Sequence, residues 1–281
     1  MGFFGRKRAP SVPHPRKEPR FDGPLTLKRL EQIFQDCVDF TKRPVSLGEG
    51  GACTLTLCYL SGMVKMERVS DYVLRPLAQD EALARCGTPR QAMDRMKDGA
   101  LYNLSAEERT RLDAAVFDLV NGCCLLLFPG ESSVLSLNVG TEEKRSISSP
   151  SNETVLKGSR DAFVESLRTN TSIVRRHLKA PELRIREQVV GRQSVTSVDI
   201  LYIEGLTNPH LVEQVAAQLA DIDIDAVLAT GNIEEYIVPA ARTAFPLVQY
   251  TERSDRFCAG LAEGRVGILI DGLPLGYLAP G

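Results

Sequence analysis

The segment from residue 158 to residue 205 constrains the fold more strongly than any other part of the chain. Apolar residues recur at intervals of three and four through residues 160–178, which predicts a helix with one apolar stripe and an arginine-rich face. Pro181 ends that helix. Residues 183–189 then alternate between apolar and polar, whereas residues 195–203 are rich in β-branched residues and apolar on both faces. The segment therefore predicts a helix, a half-exposed strand and a buried strand.

The rest of the C-terminal half alternates between helices and strands. Asn208-Pro209 caps a predicted helix that reaches about residue 219, and Asp271-Gly272 is a tight-turn pair. Strands separated by helices of about 10 to 15 residues predict βαβ units and a largely parallel sheet. The other predicted elements of this half are strands at 222–228, 247–250, 266–270 and 275–278, and helices that open at Asn232 and at Ser254.

The N-terminal half mixes helices and strands around one small sheet. Residues 123–128 and 134–139 are predicted to form a hairpin across Pro129-Gly130. Thr88-Pro89 opens a helix, and residues 105–108, SAEE, have the pattern of a capping box that opens a helix to about residue 119. The remaining predictions are helices at 25–40 and 70–84 and a strand at 54–60.

Two stretches of unusual composition divide the chain. Residues 1–24 combine basic residues with prolines and little apolar content, which predicts a disordered tail, either solvated or touching anionic lipid. Residues 146–153, SISSPSNE, offer turn and capping residues without apolar content, which indicates a linker. The predicted fold class is α/β, with a disordered basic tail at 1–24, an N-terminal α/β subdomain at 25–148 and a C-terminal α/β subdomain at 149–281.

Composition and motifs argue against catalysis, metal binding and nucleic-acid binding. The formal net charge is −2, and none of the three histidines has a second ligand at metal spacing. A G-x-S-x-G nucleophile motif is absent. No run approaches the roughly 18 apolar residues that cross a bilayer, so the chain as given is expected to be soluble. We therefore predict that the protein is not an enzyme, needs no cofactor or metal, and keeps its seven cysteines as reduced thiols in a cytosolic setting.

Residues 251–255, TERSD, form the polar cluster with the most functional promise. Thr251 and Ser254 can satisfy amides at a helix start, and the carboxylates of Glu252 and Asp255 favour the positive helix end. Arg253 is then left to pair elsewhere. The structural interpretation of the cluster is a helix cap locked by an arginine contact.

A series of motifs in the C-terminal half keeps a fixed order and spacing. Its members are Lys157-Gly158, Phe163, Glu165, Ser166, Asn170, Ile173, Arg175, Arg176, Gly191, Ser194, Thr196, Tyr202, Ile203, Phe245, Pro246, Thr251, Glu252, Arg253, Asp255, Gly264, Arg265, Val266, Asp271, Gly272 and Pro274. In this series the chain resembles the soluble N-terminal domain of the A subunit of spore germinant receptors, in the GerA family of spore germination proteins. Ser254 stands where that family usually has proline.

The resemblance implies a non-enzymatic domain that couples nutrient detection to receptor assembly and ion release during spore germination. The implied partners are the receptor's B and C subunits, with a homo-oligomer formed through the full-length A subunit. A membrane region is expected after residue 281, which would place the full-length protein in the spore inner membrane with this domain on the spore core side. The family's nutrient site is assigned to the B subunit, so no ligand residues are carried onto this chain.

The resemblance also assigns roles to individual residues. It implies that Arg253, together with Arg175 or Arg176, helps to fix one subdomain or subunit against the next, an interpretation that stands beside the helix cap. The expected subdomain or subunit interface comprises Asn170, Arg175, Arg176, Thr251, Glu252, Arg253 and Asp255, with Asp271 and Gly272 as a structural turn.

A rival hypothesis of a different class is a small-molecule binding module. Two α/β halves joined by a hinge leave a cleft, and clefts between domains are common ligand sites. A polar cleft lined by both halves would favour this module, whereas a flat apolar surface would favour assembly.

Overall fold

A computed structural model describes residues 20–47, 53–101, 106–140, 161–225 and 248–280. The strands within these ranges are β1 (Phe40–Ser46), β2 (Thr54–Leu60), β3 (Ala106–Arg109), β4 (Cys123–Leu127), β5 (Val134–Asn138), β6 (Leu183–Val190), β7 (Thr196–Ile203), β8 (Gln249–Thr251), β9 (Val266–Ile270) and β10 (Gly276–Ala279). The helices are α1 (Leu27–Ile33), α2 (Met66–Arg68), α3 (Arg75–Gln79), α4 (Glu81–Ala84), α5 (Pro89–Arg95), α6 (Leu112–Val120), α7 (Leu167–His177), α8 (Pro209–Ala220) and α9 (Ser254–Ala262), with π-helical turns at Val69–Leu74 and Met96–Ala100.

The strands build two separate five-stranded sheets, which confirms the mixed α/β class. The first has the order β1-β2-β4-β5-β3 and the second β6-β7-β9-β10-β8, and all neighbours in both are antiparallel. We call residues 20–140 the first half and residues 161–280 the second half. The predicted boundary between subdomains lies outside the described residues, and its exact position stays a prediction.

Each sheet is covered by helices on both faces because its strands alternate apolar side chains between the two sides. In β2, Leu55 and Leu57 face the core under the helices of residues 66–100, whereas Cys58 and Leu60 face α1 and α6. In the second sheet the α8 side and the side of α7 and α9 hold separate clusters of buried apolar residues. Both halves therefore have three layers, and α7 lies on one outer layer of the second half.

Several predicted elements agree with the structure. The caps at Thr88 and Asn208 accept the amides of Gln91 and His210 and open α5 and α8. The hairpin of β4 and β5 is present. The turn at Asp271 and Gly272 is also present, and Gly272 adopts a φ of 84°, which suits a residue without Cβ.

Three of the helix predictions are wrong, two in their bounds and one in the type of element. Residues 34–40 do not continue a helix, because α1 ends at Ile33 and β1 begins at Phe40. The helix predicted from residue 160 begins only at Leu167, after the cap Ser166. Residues 106–109 form β3 rather than a helix, because they pair with β5 and the Glu108 carboxylate accepts from Arg90, Lys97 and Ser133. These contacts hold the pKa of Glu108 at about 2.

The parallel sheet predicted for the C-terminal half is also wrong. Within the described residues β8 and β9, which α9 connects, run in the same direction, since each is antiparallel to β10. β10 nevertheless lies between them. The tight turn at Asp271 and Gly272 explains the arrangement, because it returns the chain directly beside β9 and fills the position that a parallel neighbour would need.

Only residues 20–24 of the predicted basic tail belong to the described residues. Residues 1–19 lie outside the described residues, as do the linker at 146–153, the strand residues 226–228 and the helix at Asn232. The end of the predicted tail, however, is bound to the first half. The amides of Arg20 and Phe21 donate to the Asp113 carboxylate, and the Phe21 ring packs against the core. Residues 222–225, which are described, are not a strand.

Candidate functional site at the junction of the two halves

The two halves are joined by backbone hydrogen bonds along β6, the edge strand of the second sheet. The amide of Val38 donates to the Ile185 carbonyl at 2.9 Å, and the amide of Ile185 donates to the Asp36 carbonyl at 3.1 Å. Cys37 and Ile185 thereby form an isolated parallel β-bridge. The segment after α1 therefore protects part of an edge that would otherwise expose unpaired backbone groups.

Arg175, in the last turn of α7, is the central side chain of this junction. It is fully buried and donates from Nε and Nη2 to the two carboxylate oxygens of Asp39, at 3.0 and 2.9 Å. Its Nη1 donates to the carbonyls of Ala180 and Leu183 at 3.3 and 3.1 Å. Burial opposes the charged form of Arg175, but the Asp39 carboxylate outweighs it, so the pKa of the guanidinium is raised.

This ion pair joins residues from different halves and is satisfied on both sides. Asp39 is 4% exposed and lies between α1 and β1 in the first half. A bidentate arginine–carboxylate pair fixes both distance and orientation. A buried pair is weak support for net stability, but losing one partner leaves an uncompensated buried charge. The pair therefore specifies how α7 sits against the first half.

A second carboxyl group, that of Asp199 in β7, is buried under the same helix. Its Oδ2 lies 2.9 Å from the Thr171 hydroxyl and 3.6 Å from Nη1 of Arg168, while its Oδ1 has no hydrogen-bond partner among the described residues. The Thr171 hydroxyl also lies 2.9 Å from the Leu167 carbonyl. Burial raises the pKa of Asp199 to about 6. When Asp199 is protonated, its carboxyl group can donate a hydrogen bond to the Thr171 hydroxyl. The Thr171 hydroxyl then donates its own hydrogen bond to the Leu167 carbonyl.

Arg168 lies on α7, one turn before Thr171 and two turns before Arg175. Its side chain reaches the second sheet at the edge strand β6. Its Nη2 is 2.7 Å from both carboxylate oxygens of Glu187 in β6, and the side chain is 54% exposed. The Arg168 contact lowers the pKa of Glu187 against the opposing effect of burial. α7 therefore carries one exposed and one buried arginine on the face that meets the first half.

A cavity of about 310 Å³ lies where α7 meets the first half. We call it the seam cavity. Its walls include Asp39, Ser61 and Gly62 from the first half and Arg168, Ser172 and Arg175 from α7. The approach is close, because a Cβ placed on Gly62 would lie 2.5 Å from the Ser172 hydroxyl oxygen. The cavity is lined by both halves, and its lining includes two arginines and one acid.

The residues predicted for one interface lie in different parts of the structure. Arg175 lies in the junction, whereas Arg176 is exposed. Asn170 is fully buried and braces the second half locally, since its amide exchanges two hydrogen bonds with the backbone of Val164. Arg253 pairs with Asp255 at 3.0 and 2.7 Å, which lowers the pKa of that carboxyl group.

The start of α9 is built differently from the predicted cap. Thr251 accepts from the amide of Arg253, so it braces the turn before the helix. The Ser254 hydroxyl donates to the Asp161 carbonyl at 2.8 Å, and the carbonyl of Glu252 accepts from Phe163. The cluster at 251–255 thus ties the start of α9 to the segment that leads into α7.

The predicted turn makes a contact that sequence did not indicate. Asp271 accepts from the amide of Leu167 at 3.0 Å, and the amide of Gly272 donates to the Glu165 carbonyl at 2.8 Å. The turn before β10 is therefore attached to the first turn of α7. Asp39 and Asp199 were missed as well, although an acid inside the apolar run 198–203 is a recognisable anomaly.

Metal-binding clusters and membrane-spanning helices are both absent from the described residues. No group of three or more His, Cys, Asp or Glu side chains within them could hold a metal ion. No helix in that part of the chain has the length and apolar character needed to cross a membrane.

Comparison with known proteins shows extensive similarity. The family model described as Bacillus/Clostridium GerA spore germination protein matches residues 28–281. The chain is 33% identical over 254 residues to the uncharacterized membrane protein YfkQ of Bacillus subtilis (strain 168), covering 90% of this chain and 48% of that protein. It is 32% identical over 242 residues to spore germination protein KA of the same organism, covering 86% and 44%. The chain therefore spans about half the length of the curated relatives it matches.

A solved structure is similar over nearly its whole length. It is the N-terminal domain of the A subunit of the Bacillus megaterium spore germinant receptor GerK3, with a TM-score of 0.71 and 27% sequence identity. The match covers 91% of this chain and 93% of that one.

Proposed function

This chain belongs to the GerA family of spore germination proteins, and on that premise we propose that it is the non-enzymatic coupling domain of a germinant receptor A subunit. The observation that carries the proposal is the near-complete mutual coverage with the N-terminal domain of such a subunit. In this role the domain relays nutrient detection to receptor assembly and ion release in spore germination.

A continuous series of contacts supports a relay through α7. At one end of the helix Arg175 holds Asp39 of the first half, and at the other end the amide of Leu167 is held by Asp271. Asp271 opens the turn between β9 and β10, and β10 leads towards the membrane region expected after residue 281. The 11 residues of α7 span roughly 16 Å at 1.5 Å per residue. A displacement of the first half therefore acts on the turn before β10.

The proposed partners and location follow from the same role. The B and C subunits of the receptor are the partners, the full-length A subunit is the element that forms a homo-oligomer, and the spore inner membrane is the site. The domain lies on the spore core side. The exposed Arg176 and the half-buried Glu252, Arg253 and Asp255 are the surface proposed for contacts with a neighbouring subunit. Thr251 and Ser254 are buried beneath it.

The relay is tested by replacing Asp271 with alanine in the full-length receptor. We expect the purified domain to lose about 1 kcal/mol of stability, because the Leu167 amide loses its carboxylate acceptor. We also expect the nutrient response of spores to fall several-fold while the receptor stays assembled. The measurements are urea unfolding of the domain, receptor level in spore membranes and the rate of germination.

Thr88→Ala provides a matched control for stability. It removes the cap of α5 in the first half, where Thr88 accepts the amide of Gln91, and should also lose about 1 kcal/mol. Its germination response should stay close to that of the unmodified receptor. Equal loss of response in both variants would show that stability alone matters and would reject the relay.

The assembly role of Arg253 has a separate test. Arg253→Glu places a third acid beside Glu252 and Asp255, so we expect weaker recovery of the B and C subunits with a tagged A subunit. The control Arg85→Glu reverses an exposed, locally paired arginine in the first half. A variant that no longer folds, as judged by the melting temperature of the domain, would count against an interface role.

A further inference from the structure

We propose that the open part of the β6 edge binds a second copy of this chain, through antiparallel pairing of the two β6 strands around a two-fold axis at Val189. Such a contact uses the same residues in both copies and joins their second sheets into one continuous sheet. The surface goes beyond the coupling role, which names no strand for self-association. The experiment below measures self-association alone, so its failure would leave the coupling role standing.

The direction of the backbone groups along β6 follows from the hydrogen bonds at its two sides. The amide of Glu204 donates to the Glu182 carbonyl at 2.9 Å, and this pair continues the register of β6 with β7. Because the groups alternate along a strand, odd-numbered residues of β6 turn their amide and carbonyl away from β7. Ile185 agrees with this pattern, since its amide and carbonyl bind the segment 36–38 on the outer side. The odd-numbered residues therefore form the outer edge.

Glu187 and Val189 leave this edge open. Their backbone amides and carbonyls face outward and make no hydrogen bond to any residue that the structure describes. The Val189 side chain is 57% exposed on the same stretch. Unpaired backbone groups beside an exposed β-branched side chain can accept a further strand. The segment 36–38 already bridges to this edge at Ile185, so the proposed contact continues an existing interface.

The edge strand of the first sheet has protection that β6 lacks. The amide of Leu47 donates to the Cys53 carbonyl at 3.1 Å, so the even-numbered residues of β1 face outward. They include Lys42 and Pro44, and a charged lysine and a proline without an amide both discourage a neighbouring strand. The stretch 187–189 of β6 contains neither lysine nor proline. Pairing is therefore blocked at β1 and left open at β6.

The free length of the edge fixes the register of the proposed pair. Pairing centred on Val189 brings Glu187 opposite Gly191 of the second copy. Gly191 has a φ of 88° and begins the turn to β7, so the second strand leaves the edge before it reaches the bridge at Ile185. A register centred one residue earlier would place Gly191 opposite Ile185, where the segment 36–38 already lies. The two open stretches therefore match in length.

The side chains along this register are compatible. The two Val189 residues face each other across the axis as a hydrogen-bonded pair, with Cα atoms about 5.5 Å apart. Their contact removes apolar surface from water, which favours association. Glu187, whose carboxylate is held by Arg168, lies opposite Gly191, which has no side chain. Like charges are therefore not directly opposed within residues 187–191.

The contact is short, so the association of the isolated chain is expected to be weak. It involves residues 187–191 of each copy, which is far less than the area of a standard stable interface. A dissociation constant on the order of 1 mM is expected. Copies held within one assembly would pair more readily, because their effective concentration is higher.

The test traps the pair with a disulfide in the 281-residue chain. In Val189→Cys the two introduced thiols would lie within the Cα distances that disulfides span. Oxidised glutathione is the oxidant, and mass spectrometry identifies the linked peptides. We expect covalent dimers joined at position 189 to form roughly tenfold faster than dimers of Val195→Cys, because pairing raises the effective concentration of the thiols. The unmodified chain, with its seven cysteines, is the blank.

Val195 is a matched control position for this test. It is 63% exposed, so random collisions would link it at least as readily as Val189. Its two copies would lie about 20 Å apart in the proposed register, which is beyond the reach of a disulfide.

Sedimentation equilibrium at protein concentrations up to about 1 mM gives an independent readout. Val189→Lys places like charges at the axis and should abolish self-association, whereas Val195→Lys should leave it unchanged. The melting temperature checks that each variant folds. The proposal is overturned by equal rates of dimer formation in Val189→Cys and Val195→Cys, or by dimers joined only through native cysteines. An unmodified chain that stays monomeric, or self-association that persists in Val189→Lys, would also overturn it.

Discussion

Arg175→Met is expected to lower the free energy of unfolding by about 3–5 kcal/mol. The substitution leaves the Asp39 carboxylate buried without its partner, and an unpaired buried charge is far more costly than a missing surface pair. The carbonyls of Ala180 and Leu183 lose a donor at the same time. The measurement is urea unfolding at pH 7 of the unmodified chain and the variant.

Two further variants locate the origin of this loss. Arg175→Met combined with Asp39→Leu removes both charges, so most of the lost stability should return. Arg192→Met removes an arginine whose pair is well exposed on both sides and should give no measurable change. A loss below about 1 kcal/mol in Arg175→Met alone would mean that water reaches Asp39, and the junction would then not depend on this pair.

The elements that were predicted correctly are those with local causes. Thr88 and Asn208 accept amides two or three residues ahead, and the strands around Pro129-Gly130 are adjacent in sequence. Such contacts appear in a window of a few residues. Capping residues and turn residues could therefore be interpreted without knowledge of the tertiary structure.

The errors and omissions have distant causes. Ala106–Arg109 resembles a helix start, but its pairing with β5 and the contacts of Glu108 override that local preference. Asp39 and Arg175 are 136 residues apart, so no spacing rule connects them. The resemblance was enough to single out Arg175. Its partner Asp39 and the seam cavity could be identified only once the packing of α7 against the first half was known.

Asp199→Asn is expected to stabilise the protein at neutral pH and to change its dependence on pH. The carboxyl group has a pKa of about 6 in the folded state and about 3.9 when unfolded. Between these values the folded state holds more protons, so raising the pH lowers the free energy of unfolding. A difference of about 2 pKa units corresponds to about 3 kcal/mol, lost between pH 4 and pH 6. Asparagine stays neutral and can still donate to Thr171.

The expected result is a difference between two curves of the free energy of unfolding against pH, one for the variant and one for the unmodified chain. The stability of Asp199→Asn minus that of the unmodified chain should be near zero at pH 4 and reach about 3 kcal/mol above pH 6. Urea unfolding at several pH values measures it, and the subtraction removes groups such as Glu108 that act in both proteins. Thr88→Ala, which removes a helix cap that carries no titrating group, should give a flat difference. A flat difference for Asp199→Asn would contradict the raised pKa.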